Sequence, residues 1–328
     1  MAGRAGRLLM LVLGLAGCTP VVIPAGLAFV PPEVAREAFV MADGARLPYR
    51  AWLPPGPPRA IILGLHGFGD YSLNAFSISA PLLTAEGIAL YAYDQRGFGA
   101  APHPGLWAGG ATLAADAVAV ARLLRDRHPG IPLFMMGESM GAAVLLVAAT
   151  GASPPPADGY ILLAPGIRGR ETMSRFSQGA LEFASRVIPA VGFSGSAPGF
   201  VPTDNPEAMR RWSNDPLTLK TFRVDIVHGL IGLMDAALAA APAFQARALI
   251  LYGGQDRIMP PAPVRRLLRG LPGGAGQRLA YYPEGHHLLL RDLDRATVTR
   301  DIAAWLGDPE APLPAAEAGR IWLAGPEP

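Results

Sequence analysis

Only one cysteine, Cys18, and one lysine, Lys220, occur in the 328 residues. A lone cysteine excludes an intrachain disulfide. No C-x-x-C or H-E-x-x-H spacing is present, so no contiguous zinc motif exists, and metal ligation has no support from the sequence. A phosphate cradle is missing too: Gly67-Phe68-Gly69 lacks the remainder of a dinucleotide fingerprint, and no cofactor is implied. There is no internal repeat. Acidic residues are absent from the first seventeen positions, which carry Arg4 and Arg7; without those two arginines the chain holds 26 basic and 26 acidic residues. A neutral body argues against nucleic acid or any partner held by bulk charge. The scarcity of lysine against arginine is compositional bias and points to no function.

What the chain does have is apolar residue, 51% of the total, enough for one large domain or a domain with an insertion. The first apolar run, Leu8 to Ala16, is too short to span a bilayer. It follows two arginines and ends Leu15-Ala16-Gly17-Cys18, which resembles a bacterial lipoprotein signal, with residues 1–17 removed and lipid attached to Cys18. Pro20 and Pro24 count against a continuous anchoring helix. Thr19, in place of aspartate, follows the cysteine. That resemblance implies a lipid-anchored protein of the bacterial cell envelope, at the outer membrane and facing the periplasm.

Residues 18–34 read as a tether, and 37–53 as a hairpin turning at Ala42-Asp43-Gly44. Buried strands are expected at 60–65, 88–93, 131–136, 160–163, 248–252 and 279–282, with helices near 76–86, 111–127, 142–150, 264–269 and 294–306. Strands alternating with helices imply a mostly parallel, doubly wound sheet covered on both faces. Between residues 167 and 245 the pattern changes to two amphipathic helical stretches, one carrying Met173, Phe176, Leu181, Val187 and Ile188, the other Phe222, Ile226, Leu230, Met234 and Leu238. This segment reads as a helical cap inserted into a core of residues 35–166 and 246–307, with 308–328 as a surface strap. The apolar faces of the cap fit two roles equally, enclosing an apolar ligand or packing on the sheet.

Gly137-Glu138-Ser139-Met140-Gly141 joins the central strand to the helix after it. With 39 glycines and 11 serines in the chain, chance supplies about 0.15 such G-x-S-x-G matches, so the strand before and helix after must carry the assignment. That context makes Ser139 a nucleophile on a sharp strand-to-helix turn. An activated serine needs a base, and the base an orienting acid, in the chain order Ser, acid, His. Asp256 follows one strand directly, and His286-His287 follow the next, so both acid and base lie on loops at carboxyl ends of strands. Asp158 precedes its strand; Asp94 precedes the nucleophile and reads as structural; Asp204, Asp215, Asp225 and Asp235 fall in the cap. His286 and His287 remain open as base. The oxyanion donors of such a turn are the N–H of Met140 and that of Phe68 in His66-Gly67-Phe68-Gly69, where His66 reads as a positioner. Glu138 takes a structural role.

Taken together, His66-Gly67-Phe68-Gly69, Asp94-Gln95-Arg96-Gly97-Phe98-Gly99, Gly137-Glu138-Ser139-Met140-Gly141, Asp256 and Gly285-His286-His287 resemble the α/β-hydrolases of the monoacylglycerol lipase, lysophospholipase and serine aminopeptidase-like group. The resemblance maps the base onto His287, ahead of Leu288-Leu289-Leu290; His286 stands where that group commonly has another residue. It implies cofactor-free hydrolysis of carboxylic esters of lipid-like substrates, at a membrane if Cys18 is lipidated. Aminopeptidase, thioesterase or acyltransferase chemistry on the same triad, and a non-catalytic lipid-binding envelope lipoprotein, are the alternatives.

Overall fold

The computed structural model describes residues 19–194, 201–272 and 276–326; the 1–17 leader and Cys18 lie outside the described residues. Nine strands make one sheet: β1 (Glu33–Val34), β2 (Ala38–Val40), β3 (Arg46–Trp52), β4 (Ala60–Leu65), β5 (Ile88–Tyr93), β6 (Leu133–Glu138), β7 (Gly159–Leu163), β10 (Ala248–Gly253) and β11 (Gln277–Tyr282). Their spatial order is β1-β2-β3-β5-β4-β6-β7-β10-β11. Everything from β5 to β11 in that order is parallel, and β1 to β3 add an antiparallel edge. β8 (Gly192–Ser194) and β9 (Thr221–Arg223) form a separate, largely exposed antiparallel ribbon.

The parallel strands are apolar on both faces, and the side chains of each strand divide between two cores. Ile61, Leu63 and Leu65 of β4 join the layer under helices 110–127, 140–150, 224–240 and 261–270. Ala60 and Ile62 join the opposite layer, under helices 72–76, 80–85, 295–307 and 314–324. Period-two alternation in a strand covered on both faces produces this split.

Several expectations need correcting. The stretch 76–86 is not one helix but two short ones, Ser72–Phe76 and Ala80–Ala85. Pro81, with no N–H to give, sits in the first turn of the latter and forces a new start there. The central strand begins at Leu133, after Pro132, and runs through Glu138 to Ser139. A third cap helix, Pro206–Asn214, is present; Asn205 caps it by accepting the Glu207 and Ala208 N–H groups at 3.1 and 3.4 Å. It escapes a periodicity search because its apolar side chains are few. The tail is a helix, Pro314–Ala324, whose Gly319 lies on β11 and whose Trp322 stacks on Tyr281 at 5.3 Å. The supposed tether is laid on the body. Val21 N–H bonds Asp225 at 3.3 Å, Ile23 N–H bonds the Trp107 carbonyl at 2.8 Å, and residues 33–34 already belong to the sheet.

One cation fastens that segment and the first hairpin to the core. Arg96, buried in the turn after β5, donates to Asp43 at 2.7 and 2.9 Å and to Asp116 at 2.7 and 3.0 Å. Asp43 lies in the β2–β3 turn and also accepts the N–H of Gly26 at 2.8 Å. Arg96 holds the Asp43 carboxyl well below the ordinary carboxylate range; burial pushes that of Asp116 up, with Arg96 opposing. Replacing Arg96 by methionine strands two carboxylates, one of them deeply buried, and should destabilise the fold by about 3–5 kcal/mol. Urea unfolding measures this, and a loss below about 1 kcal/mol refutes the role given to Arg96.

Candidate active site

Four loops meet at the carboxyl ends of β4, β6, β10 and β11 and carry Phe68, Ser139, Asp256 and His287 respectively. At the first residue to leave β6, Ser139, the backbone has φ 53° and ψ −111°, a left-handed conformation that a serine adopts at a cost of about 1–3 kcal/mol. The neighbours explain how it is held. A Cβ on Gly141 would stand 2.2 Å from the Leu65 carbonyl oxygen, and one on Gly137 would stand 2.5 Å from the Ala142 nitrogen. Both contacts are forbidden to any side chain, so only glycine lets β6 turn this sharply against β4. Leu163 accepts the Ser139 N–H at 2.9 Å, and Ser139 accepts the Gly166 N–H at 2.9 Å. Helix 140–150 then leaves with Met140 as its first residue, so the Met140 N–H is one of the terminal donors that have no partner within the helix.

Of the two candidate bases, His287 is the one bonded to Asp256. Its Nδ1 lies 2.8 Å from Asp256 Oδ2, and both side chains are almost wholly buried. A carboxylate only accepts, so Nδ1 carries the proton and Nε2 is left with its lone pair. The other oxygen, Asp256 Oδ1, accepts the N–H groups of Ile258 and Met259 at 2.8 and 2.9 Å, and the Tyr252 hydroxyl donates to the Met259 carbonyl at 2.9 Å. The acid therefore cannot swing. His286 does not line the cavity that Ser139 and His287 share; it faces Asp292, with Nδ1 3.6 Å from Oδ2.

That cavity, of about 180 Å³, is bounded by Gly67, Phe68, Ser139 and His287 on its polar side. Leu230, Met234, Ile258, Met259, Phe222 and Trp212 form much of its apolar wall. Phe68 stacks against Phe222 at 4.8 Å, joining the β4 loop to the cap. Helix 224–240 contributes Leu230 and Met234 while packing Ile226, Leu233 and Ala237 into the core. Helix 175–187 differs: none of its residues lines the cavity, only Ser185 is buried, and Phe176 and Phe183 are 85% and 68% exposed. The two amphipathic stretches of the cap thus have separate uses.

His66 and Asp94, singled out above, are buttresses. His66 is fully buried; its Nδ1 lies 2.8 Å from the Gly67 carbonyl and its Nε2 accepts the Gln95 N–H at 3.0 Å, so the ring is held neutral with the proton on Nδ1, and burial lowers its pKa. Asp94 accepts the Ser72 N–H and hydroxyl at 3.0 and 2.6 Å. Of the other histidines, His103 is exposed, and His128 is partly buried with its Nε2 3.0 Å from the Tyr91 hydroxyl. His228 lies 3.1 Å from Glu182 and 3.1 Å from Arg170, within the cap.

Sequence reasoning missed Arg291 and Asp70. Arg291, fully buried, donates to Asp70 at 2.6 Å and to Glu138, and all three line the cavity. Glu138 beside Ser139 is thus ion-paired, and burial pushes its carboxyl above the ordinary range with Arg291 opposing. The available signal was a cation in the apolar run Leu288-Leu289-Leu290-Arg291, which must find a counter-charge once buried.

Three comparisons bear on this arrangement. The family model described as Serine aminopeptidase, S33 (Hydrolase_4) matches residues 56–294. The chain is similar to a monoacylglycerol lipase of Mycolicibacterium smegmatis, 24% identical over 83% of this chain and 96% of that one, and to a human monoglyceride lipase, 25% identical over 82% and 89%. Among solved structures, a soluble variant of the Saccharomyces cerevisiae monoglyceride lipase in complex with a substrate analogue superposes with a TM-score of 0.68 at 23% identity, covering 89% of this chain and 98% of that one, a likeness of fold.

Glu138 and Arg291 also set a pH dependence. In the folded state the raised Glu138 pKa retains a proton that the unfolded chain releases above the ordinary value of 4.5, so ionising Glu138 lowers stability as pH rises through that range. Arg291 opposes this loss. Arg291→Met should therefore be more destabilising at pH 8 than at pH 5, read from urea midpoints at both values; an equal loss at the two refutes the pairing.

Proposed function

This chain belongs to the serine aminopeptidase S33 family, and from that membership we propose that it cleaves carboxylic esters of lipid-like alcohols, of monoacylglycerol or lysophospholipid type, through an acyl-enzyme on Ser139. The observation that carries the reading is the Asp256–His287 hydrogen bond at 2.8 Å beside Ser139, in a cavity walled by apolar cap residues. His287 Nε2 takes the Ser139 hydroxyl proton as Oγ attacks the ester carbonyl, and the Phe68 and Met140 N–H groups hold the oxyanion. The intermediate collapses by breaking the bond to the alcohol, which leaves with the proton from His287. Water, deprotonated by His287, then attacks the acyl carbon, the bond to Ser139 Oγ breaks, His287 returns the proton to Oγ, and the fatty acid is released. Asp256 keeps the proton on Nδ1 throughout and favours the imidazolium that forms. Each oxyanion donor accounts for roughly 2.7–4 kcal/mol of transition-state stabilisation.

The apolar wall favours an acyl chain over a peptide side chain, which supports ester over aminopeptidase chemistry. A cavity of about 180 Å³ suits a short chain with the cap closed. We also place the enzyme at a membrane, through lipid on Cys18, on the strength of the Leu15-Ala16-Gly17-Cys18 pattern; metabolic labelling with radiolabelled palmitate should mark the wild type and spare Cys18→Ala.

Fluorophosphonate should label wild-type protein at Ser139 and not Ser139→Ala. p-Nitrophenyl octanoate should turn over faster than the palmitate ester, and both faster than a leucyl p-nitroanilide. His287→Ala should lose at least about 10³-fold in kcat, while His286→Ala retains most activity. An unlabelled wild type, a preferred anilide, or a dead His286 variant beside a live His287 variant each refutes a stated part of this reading.

A further inference from the structure

Outside the triad, side chains from two segments distant in sequence converge on one point. Asp204 comes from the cap segment before helix 206–214, and His286 and Asp292 from the loop that carries His287; one ligand atom of each lies within 4.8 Å of the others. Asp292 is 3% exposed, and its Oδ1 and the His286 Nδ1 are buried without a hydrogen-bond partner among the described residues. A buried polar atom left unpaired is costly, and the His286 Nδ1, 3.6 Å from Asp292 Oδ2, lies too far from it for a hydrogen bond. Beyond the Thr203 hydroxyl that acts on the Asp292 carboxyl, the cluster therefore has room for a ligand. The carboxylates are also oriented in advance: Asp292 Oδ2 accepts the His286 backbone N–H at 2.7 Å, and Asp204 Oδ1 accepts the Leu293 N–H at 2.8 Å. Among the described residues no arginine or lysine pairs with either carboxylate; Arg295 instead donates to the Asp292 and Leu293 carbonyls. Two negative groups and an imidazole nitrogen therefore share a point that lacks a fixed positive charge.

We propose that Asp204, His286 and Asp292 form a binding site for one divalent cation of the zinc type. The donor set selects the ion: carboxylates alone suit calcium or magnesium, whereas an imidazole nitrogen favours a first-row transition ion or zinc, with water completing the shell. The consequence is mechanical. Segment 201–205 already touches the base loop, with Leu288 N–H bonded to the Pro202 carbonyl and Asn205 Nδ2 to the Arg291 carbonyl, each at 2.8 Å. Pro202 and Leu288 both line the cavity. A cation bridging Asp204 to His286 and Asp292 clamps the cap to the loop that positions His287, and it does so without touching the triad. His286, idle in the triad, acquires a use.

The full-length chain, purified in detergent and stripped with EDTA, is titrated with zinc, calcium and magnesium chlorides while heat of binding and Tm are recorded. One zinc ion per chain is expected, with Tm raised by at least about 3 °C at a hundredfold excess over Kd, and no comparable effect of calcium or magnesium. Asp204→Asn, at an exposed position, and His286→Gln should each weaken zinc binding at least tenfold while keeping the metal-free Tm of the wild type; His103→Gln, an exposed histidine elsewhere, should leave it unchanged. Absence of zinc binding, which leaves His286 and Asp292 as an ion pair only, overturns the proposal. So does undiminished binding in Asp204→Asn and His286→Gln, which marks adventitious zinc on other histidines. Labelling of Ser139 by fluorophosphonate is independent of either result, so failure here is distinguishable from failure of the esterase reading.

Discussion

The structure depends on how closely the backbone of β6 and its following helix approaches β4. With Gly141 placed so that any Cβ would meet the Leu65 carbonyl at 2.2 Å, the two central strands and the nucleophile turn are one packed unit. The candidate site is measured from that contact. It forces Ser139 into a left-handed conformation, brings the first N–H of helix 140–150 beside the serine, and sets the β4 loop with Phe68 across from it. The strain at Ser139 is sustained because the sheet and helix around it are wholly buried, so relaxing one dihedral would mean parting two cores.

Around this unit, charge is handled by enclosing each cation between two carboxylates. Arg96 spans Asp43 and Asp116 under the first hairpin, and Arg291 spans Asp70 and Glu138 in the cavity lining. Both are in low-dielectric surroundings where an unpaired charge would cost several kcal/mol. The two networks do different jobs. The first ties the N-terminal segment and an antiparallel edge to a parallel sheet. The other gives Glu138, next to Ser139, a buried counter-charge at the polar end of the cavity. The cap is divided in a similar way: helix 224–240 closes the cavity and packs the core, while helix 175–187 turns Phe176 and Phe183 to solvent.

Much of this was legible in the sequence. Strands β4, β5, β7 and β10 are continuous apolar runs between turn residues, and such runs can only be buried from both sides. The strand–G-x-S-x-G–helix signature is local, so the turn at Ser139 could be read without tertiary information, and the loops of Asp256 and His287 follow from strand ends. The two short helices at 72–85 were not separable, because a proline that opens a new helix has the same sequence signature as one that interrupts a longer helix. Helix 206–214 announced itself only through its cap, Asn205-Pro206, and not through an apolar stripe.

The sequence by itself determined what depends on neighbours in the chain: element type, the strand-to-helix turn at Ser139, and the loops on which Ser139, Asp256 and His287 follow one another. Only the tertiary structure decided what depends on residues far apart. Adjacent histidines are equivalent in a string; in space His287 meets Asp256, thirty-one positions away, and His286 meets Asp292. Arg291 acquires Asp70 from 221 positions away, and Asp204 reaches the base loop across the cap. Hydrogen-bond and ion-pair partners are chosen by where the backbone brings side chains, and that is settled by packing the whole sheet and cap, not by any single stretch. The nucleophile turn was readable because its own glycines impose its shape; its surroundings were not, because the rest of the chain supplies them.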